Sequence, residues 1–232
     1  MEPLIVFLDT ETTGLTEKDR LVQISYKVWN TDESATEIFN PPEGVELTYE
    51  ATSVHHITRE MVKGKPAFMG SQMWKRLDEL FKQGAIMVAH NALFDLGIIS
   101  SEGLKPQKFV CTLKVARYLD EKAELTNHKL QYLRYAYNLD VNGRAHDAEG
   151  DVAVLEKLFE HLLKDVSLEK MIEISSQPSL IRRFSFTKHK GELVSDVLKN
   201  DRSFLEWFLS VKSKENPIDE DWVYTLTEAL KQ

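Results

Sequence analysis

The first apolar run of the chain, Leu4 to Leu8, has hydrophobic residues at both odd and even positions. Two apolar faces are typical of a strand that is covered on both sides, so LIVFLDTE is predicted to lie at the centre of a sheet. The segments LVQISYKVW and ATEIFNPP follow after short polar connections, which predicts a meander of antiparallel neighbours. Pro41 and Pro42 end this meander.

From Pro66 onward the hydrophobic period changes to that of a helix. Apolar residues recur at i, i+4, i+7 and i+8, which predicts an amphipathic helix ending at Gln83-Gly84. Strand and helix patterns then alternate: AIMVA and KFVCT are predicted strands, whereas FDLGIIS and DAEGDVAVLEKLFEHLL are predicted helices. A meander followed by such alternation implies an α/β fold, with a mixed five-stranded sheet and flanking helices. The apolar positions of the first helix are Met73, Leu77, Leu80 and Phe81.

The pattern breaks near Ser175-Ser176-Gln177-Pro178, which predicts a boundary between a larger domain, residues 1–174, and a small C-terminal α+β module, residues 175–232. The module contains a hairpin-like segment, FSFTKHKGELVSDV, and an aromatic helix. The run from Ile181 to Lys190 has several basic residues and no acid. Such a run fits either a surface that follows a phosphate backbone or an ordinary solvated face.

The composition narrows the class of protein. A chain of 232 residues with 42% hydrophobic and 28% charged residues is typical of a soluble globular protein. Its one cysteine, Cys111, cannot form an internal disulfide and is expected to be a small buried hydrophobe. We expect a cytoplasmic protein without a membrane role, since no secretory leader is visible and no apolar run reaches about 20 residues. The net charge of −8 argues only weakly against nucleic acid as a partner.

Two carboxylates stand at the end of the predicted central strand. Asp9 and Glu11 are two residues apart, so their side chains leave the strand on one face, about 7 Å apart. Asp95 and Asp151 each lie on the apolar stripe of a predicted helix, where a lone carboxylate is costly unless it binds a cation. For either acid alone, helix capping is the simpler explanation. Together, the four acids at element ends predict a site for hard divalent cations.

Three motifs in this order carry a family resemblance: DTETTGL, HNALFD and HDAEGD, with His146 five residues before Asp151. They resemble the motifs of the DEDDh 3′→5′ exonucleases, the DnaQ-like branch of the RNase H-like fold, over roughly residues 3–165. The C-terminal segment that begins QPSLIRRFSF is similar to the extension of the exonuclease X-like members. It departs from them at Thr187, where glycine is expected, and at Glu192, where a basic residue is usual.

The resemblance implies a metal-dependent 3′→5′ exodeoxyribonuclease that releases nucleoside monophosphates from DNA 3′ ends, in repair or end trimming. The implied cofactors are two Mg²⁺ or Mn²⁺ ions. The implied catalytic residues are the metal ligands Asp9, Glu11, Asp95 and Asp151, with His146 as the general base. The implied substrate-binding residues are Thr12, Gly14, Leu15, His55, Asn91 and Phe94.

The implied partner is DNA with a single-stranded or duplex 3′ end, but two other functions stay open. The catalytic motifs do not separate DNA from RNA, so an RNA 3′-end trimming enzyme similar to ribonuclease T or oligoribonuclease is the first alternative. The second is a non-catalytic or proofreading-type subunit bound to a polymerase. The complete catalytic set and the additional module argue against a polymerase partner.

Overall fold

The computed structural model describes residues 2–16, 18–141 and 148–231, with only the backbone of residues 148 and 149. Its sheet has five strands in the order β3-β2-β1-β4-β5. β1 pairs with β2 in antiparallel and with β4 in parallel orientation, so the predicted mixed sheet with the first strand at its centre is confirmed. The strands are β1 Ile5–Thr12, β2 Leu21–Val28, β3 Ser34–Ile38, β4 Ile86–Ala89 and β5 Lys108–Cys111.

Helices flank this sheet and form most of the C-terminal module. The three helices predicted from periodicity in residues 1–174 are present as α3, α4 and α7, whereas helices of about two turns or fewer gave too short a pattern to predict. None of the helices in the described segments is both long and apolar enough to span a bilayer. The helices are α1 Tyr49–His55, α2 Arg59–Val62, α3 Gln72–Lys82, α4 Ala92–Ser101, α5 Thr112–Leu119, α6 Leu130–Ala136, α7 Ala148–Leu162, α8 Leu168–Ser175, α9 Val194–Asn200, α10 Arg202–Lys212 and α11 Glu220–Leu230.

The two faces of β1 belong to two different hydrophobic cores. Val6 and Leu8 pack into the core formed with α3 and α4. Ile5 and Phe7 pack into the core formed with α7, where the Phe7 ring meets the Phe159 ring edge to face at 5.4 Å between centroids. Because side chains alternate along a strand, the odd positions of β1 face α7 and the even positions face α4. This alternation continues into the acidic end of the strand.

The C-terminal module has a core of its own, and its hairpin-like segment is shorter than predicted. Arg183 and Leu193 form a single antiparallel bridge, and the chain then enters α9 at Val194. The prediction was therefore wrong for the last four residues of FSFTKHKGELVSDV, which are helical. They leave the hairpin because Val194 and Val197, three residues apart, both pack into the module core. The other buried members of this core are Phe184, Phe204, Leu205, Phe208, Trp222 and Leu226.

An ion-pair cluster attaches the module to the rest of the chain. The Asp221 carboxylate of α11 accepts hydrogen bonds from the Arg117 guanidinium at 2.7 Å and from the Ser179 amide at 2.8 Å. Lys114 Nζ lies 3.7 Å from the same carboxylate, and only 5% of the Lys114 side chain is exposed. Asp221 is thus the carboxylate that balances two cations of α5 in a largely buried setting.

We expect Asp221→Ala to lower the free energy of unfolding by about 3 kcal/mol, because Lys114 and Arg117 would stay largely buried without their carboxylate. Chemical denaturation at neutral pH measures the change. Glu220→Ala, which removes an exposed acid from the neighbouring position, is the control and should change stability by less than about 0.5 kcal/mol. Equal effects of the two substitutions would contradict a special role for Asp221.

Thr187 adopts a left-handed backbone conformation, with φ of 71°. This is the position at which the related extension is expected to have glycine, and a β-branched residue is strained there. We therefore expect Thr187→Gly to raise the free energy of unfolding by about 1 kcal/mol. Gly191→Ala, at a glycine with φ of 91° in the same turn, should lower it by a similar amount. Thermal unfolding of both variants tests this pair of opposite signs.

Candidate active site

The carboxyl end of β1 projects beyond its parallel neighbour. β4 pairs with β1 only from Ile5 to Phe7, whereas β2 remains paired through Asp9 and Glu11. The two acids therefore stand at an opening in the sheet, on the face of β1 that packs against α7. As predicted from their spacing, they lie side by side on one face.

Asp95 reaches this opening from the first turn of α4 and is only 4% exposed. Its Oδ1 atom accepts hydrogen bonds from the Thr10 amide at 3.1 Å and from the Thr10 hydroxyl at 2.7 Å. Thr10 is an even position of β1 and so faces α4 rather than α7. It was missed in the sequence, although the alternation of the strand places it opposite the two acids and towards α4. Thr10 thereby fixes α4, and with it Asp95, to the central strand.

Asp151 comes from the first turn of α7 and is held by α6. The Gln131 side-chain amide donates a hydrogen bond to Asp151 Oδ1. Gln131 was also missed, and nothing in its local sequence marks it, since the contact joins two separate helices. His146, the predicted general base, lies outside the described residues.

Electrostatics show that the four carboxylates act on one another. Burial raises the pKa of Asp9 well above its usual value, and repulsion from Asp95, Glu11 and Asp151 raises it further. Burial and the Asp151 charge raise the pKa of Glu11 to about 7. Burial likewise raises the pKa of Asp95 to about 7, against the opposing effect of the Thr10 hydrogen bonds. The four acids predicted from separate motifs are therefore neighbours in space.

The donor set fits hard divalent cations. Within the described segments, no three or more His, Cys, Asp or Glu side chains already surround one point in a metal-binding arrangement. The chemistry of the cluster is nevertheless that of a cation site, because carboxylate oxygens are the ligands that Mg²⁺ and Mn²⁺ prefer. Cations would also remove the repulsion that raises these pKa values. Cys111 takes no part: it is 1% exposed and a buried small residue, as predicted.

A cavity of about 400 Å³ opens beside the acids and is lined by Glu11. It also includes residues of α1, such as Glu50 and Val54, that sequence reasoning did not select. Asn91, the remaining predicted substrate residue, does not line this cavity but a neighbouring cleft. The predicted substrate residues that do line the cavity are Thr12, Gly14, Leu15, His55 and Phe94.

The loop after β1 is shaped by Asp19. Its carboxylate accepts hydrogen bonds from the Thr13 hydroxyl at 2.7 Å and the Thr16 hydroxyl at 2.6 Å. A Cβ atom at Gly14 would lie 2.7 Å from Asp19 Oδ1, so close packing requires glycine there. The loop presents Leu15 to solvent with 87% of its surface exposed. Leu15 therefore adds an exposed apolar side chain to the lining of the cavity.

His55 supports the same loop from α1. Its Nδ1 atom accepts a hydrogen bond from the Ile57 amide at 2.9 Å, so the ring proton is on Nε2 and is donated to the Thr12 carbonyl oxygen at 3.1 Å. Burial lowers the pKa of His55, which keeps the ring neutral. Both ring nitrogens are therefore occupied in holding the floor of the cavity.

Comparison with known protein sequences shows the family to which this chain belongs. The sequence profile of the exonuclease family (RNase_T) matches residues 6–159. Exodeoxyribonuclease 10 of Escherichia coli (strain K12) is 27% identical over 229 residues, which cover 92% of this chain and 94% of that protein. The DNA polymerase III subunit epsilon of Treponema pallidum (strain Nichols) is 32% identical over 162 residues, covering 65% and 72% of the two chains.

Among solved structures, exonuclease X in complex with 5′ overhanging duplex DNA superimposes with a TM-score of 0.57. It is 24% identical in sequence, and the match covers 74% of this chain and 99% of that one. At this identity the likeness concerns the fold, and it confirms the predicted RNase H-like architecture.

We expect Glu11→Gln to stabilise the protein in metal-free buffer at pH 8.5 by about 1–2 kcal/mol. The folded-state pKa of Glu11, about 7, lies above the ordinary value of 4.5, so the ionised side chain destabilises the folded state at high pH. The gain should shrink as the pH falls through 7 and vanish below about pH 4.5. Denaturation curves in EDTA at several pH values measure it.

Glu43→Gln, at an exposed position, is the control and should show no such trend. A Glu11→Gln variant that is less stable than the parent protein at pH 8.5 in EDTA would contradict repulsion among the acids.

Proposed function

This chain belongs to the exonuclease family and is a 3′→5′ exonuclease, and on that premise we propose that it releases nucleoside monophosphates from the 3′ ends of DNA. The observation that carries the proposal is a group of four mutually repelling carboxylates, one of which, Glu11, also lines the adjacent cavity. The acids suit phosphodiester hydrolysis, and the cavity has room for a terminal nucleotide. We also propose the division into a catalytic domain, residues 1–174, and a C-terminal module, residues 175–232, with a role in repair or end trimming.

The proposed cofactors are two Mg²⁺ or Mn²⁺ ions held by Asp9, Glu11, Asp95 and Asp151. When bound, they would supply an activated water, neutralise charge at phosphorus and stabilise the leaving 3′ oxygen. The protein's own contribution is position: Thr10 fixes Asp95 against β1, and Gln131 of α6 fixes Asp151.

The remaining proposed roles concern the nucleotide and the proton. Leu15, which is exposed on its loop, would pack against the terminal base, and Thr12, Gly14 and Phe94 would line the cavity around the nucleotide. His55 would keep the floor of the cavity in place, while Asn91 would contact the strand just outside it. His146 would take the proton from the attacking water, since its ordinary pKa near 6.5 suits a general base.

DNA is the proposed substrate because relatives that match most of this chain are named as an exodeoxyribonuclease and a DNA polymerase subunit. RNA trimming uses the same acids, so the choice between the two needs a direct comparison. A non-catalytic role is disfavoured because an inert adaptor has no use for four repelling carboxylates, which lower its stability.

The test is mononucleotide release in Mg²⁺ from 3′ ends of matched single-stranded DNA, duplex DNA, mismatched duplex DNA and RNA oligomers. We expect the highest kcat/KM on DNA, and a loss of at least about 10³-fold in kcat for both Asp9→Ala and His146→Ala. Asp32→Ala removes an exposed acid that belongs to none of the three motifs. This variant is the control and should retain full activity.

Unchanged activity in both active-site variants would overturn the mechanism. Faster cleavage of RNA than of every DNA substrate would replace the proposed function with RNA trimming.

A further inference from the structure

A second cavity, which we call the interdomain cleft, lies between the α5–α6 connection and the first segment of the C-terminal module. It has a volume of about 420 Å³ and is lined from one side by residues 123 and 125–130 and from the other by residues 180–183 and 185. Asn91, which precedes α4, is also among its lining residues. The mechanism proposed above assigns no role to the rest of this cleft.

The cleft is basic although the chain as a whole carries a net charge of −8. Its lining includes the cationic side chains of Arg117, Lys129, Arg182 and Arg183 but one carboxylate, Asp120. Asp120 is already engaged, since it accepts hydrogen bonds from the His128 ring at 3.0 Å and from two backbone amides. Arg117 is balanced by Asp221, so the excess of positive charge comes from the other three cations.

The two adjacent arginines at the cleft, Arg182 and Arg183, are oriented by carbonyl oxygens rather than by acids. Arg182 donates to the Arg117 carbonyl oxygen at 2.8 Å, and Arg183 donates to the Ala123 and Gly191 carbonyl oxygens at 2.8 and 2.6 Å. These contacts hold both guanidinium groups in place without neutralising them. Arg183 Nε is in addition buried without a hydrogen-bond acceptor among the described residues. A fixed and unneutralised guanidinium is suited to a phosphate.

The basic run noted in the sequence therefore has two parts with different surroundings. Lys188 Nζ is 2.6 Å from the Asp201 carboxylate, within the module. Arg182 and Arg183 instead face the cleft together with exposed Lys129, for which the described residues provide no acidic partner. The solvated-face interpretation thus fits Lys188, and the phosphate-backbone interpretation fits the two arginines.

The cleft adjoins the elements that carry the catalytic acids. Asn91 is the N-cap of α4, whose first turn holds Asp95. Lys129 is the N-cap of α6, and Gln131 two residues later binds Asp151. A strand whose 3′ end lies among the acids would leave the site along these two helix starts and enter the cleft.

Apolar side chains complete the chemistry of a nucleic-acid site. Cations suit the phosphates, whereas apolar walls suit the faces of the bases. The wall residues of this kind are Leu113, Leu125, Leu130, Leu180 and Ile181.

We propose that the interdomain cleft binds the single DNA strand upstream of its 3′-terminal nucleotide, with Lys129, Arg182 and Arg183 on the phosphates. The inference rests on the proposed function and extends it, because it makes the C-terminal module one wall of the substrate path. Strand length beyond the terminal nucleotides then contributes to affinity.

The test compares the full chain with Lys129→Glu and Ser185→Glu, both at exposed positions that line the cleft. The first readout is fluorescence anisotropy of a labelled 20-nucleotide single strand in EDTA, which needs no catalysis. We expect the Kd of each variant to rise about 10-fold, and the slope of log Kd against log salt to fall by about 1 for Lys129→Glu. Lys199→Glu reverses the charge of an exposed side chain outside the cleft and is the matched control. This variant should bind the strand with the Kd of the parent protein.

The second readout is cleavage in Mg²⁺ of the same 20-nucleotide strand and of a dinucleotide. We expect KM to rise about 10-fold for the long strand only, since a dinucleotide has no upstream segment. Equal losses on both substrates, or unchanged binding in both cleft variants, would overturn the proposal.

Two further outcomes are also decisive. If a deoxynucleoside monophosphate displaces the labelled strand and binds the protein with the same Kd as that strand, the cleft is a product site and the proposal fails. If the parent protein cleaves neither substrate but binds the strand through the cleft, the proposed function fails and the cleft remains a binding site. Thermal unfolding of every variant shows whether it is folded.

Discussion

The structure depends on placing four like charges within one small, largely buried site. Carboxylates in such a setting repel one another and lose hydration, and the raised pKa values of Asp9, Glu11 and Asp95 record both effects. The surrounding fold has to hold these groups together against that cost. It does so with a central strand whose two faces are anchored in separate cores, so the strand cannot shift towards either helix without disturbing the other.

The sequence predicts the parts of this arrangement that repeat locally. The unbroken apolar run from Leu4 to Leu8 predicts β1, and the period of two along a strand predicts the common face of Asp9 and Glu11. The apolar stripes of α4 and α7 mark Asp95 and Asp151 as acids in costly positions. The contacts that fix these groups were not predictable in the same way. Thr10 and Asp95 are 85 residues apart, and Gln131 meets Asp151 across two helices, so neither contact leaves a local pattern.

The short helices could not be predicted from the sequence for a related reason. A helix of seven residues, such as α1 or α6, completes about two turns and offers too few apolar positions to define a period. In the module, the turn chemistry favoured a full hairpin, but burial of Val194 and Val197 outweighed it and started a helix. Tertiary packing, rather than local turn propensity, therefore determines that this segment is helical.

Phe94 and Asp95 are consecutive residues of one helical turn, yet Phe94 lines the cavity beside the acids and Asp95 belongs to the acid cluster. Because Thr10 fixes that turn to the central strand, the cavity wall and the acid are parts of one rigid unit. A substitution that reshapes the cavity by moving α4 would also displace a carboxylate. A change in the shape of this cavity that leaves Asp95 in place would therefore have to come from its other lining segments, the loop after β1 and α1.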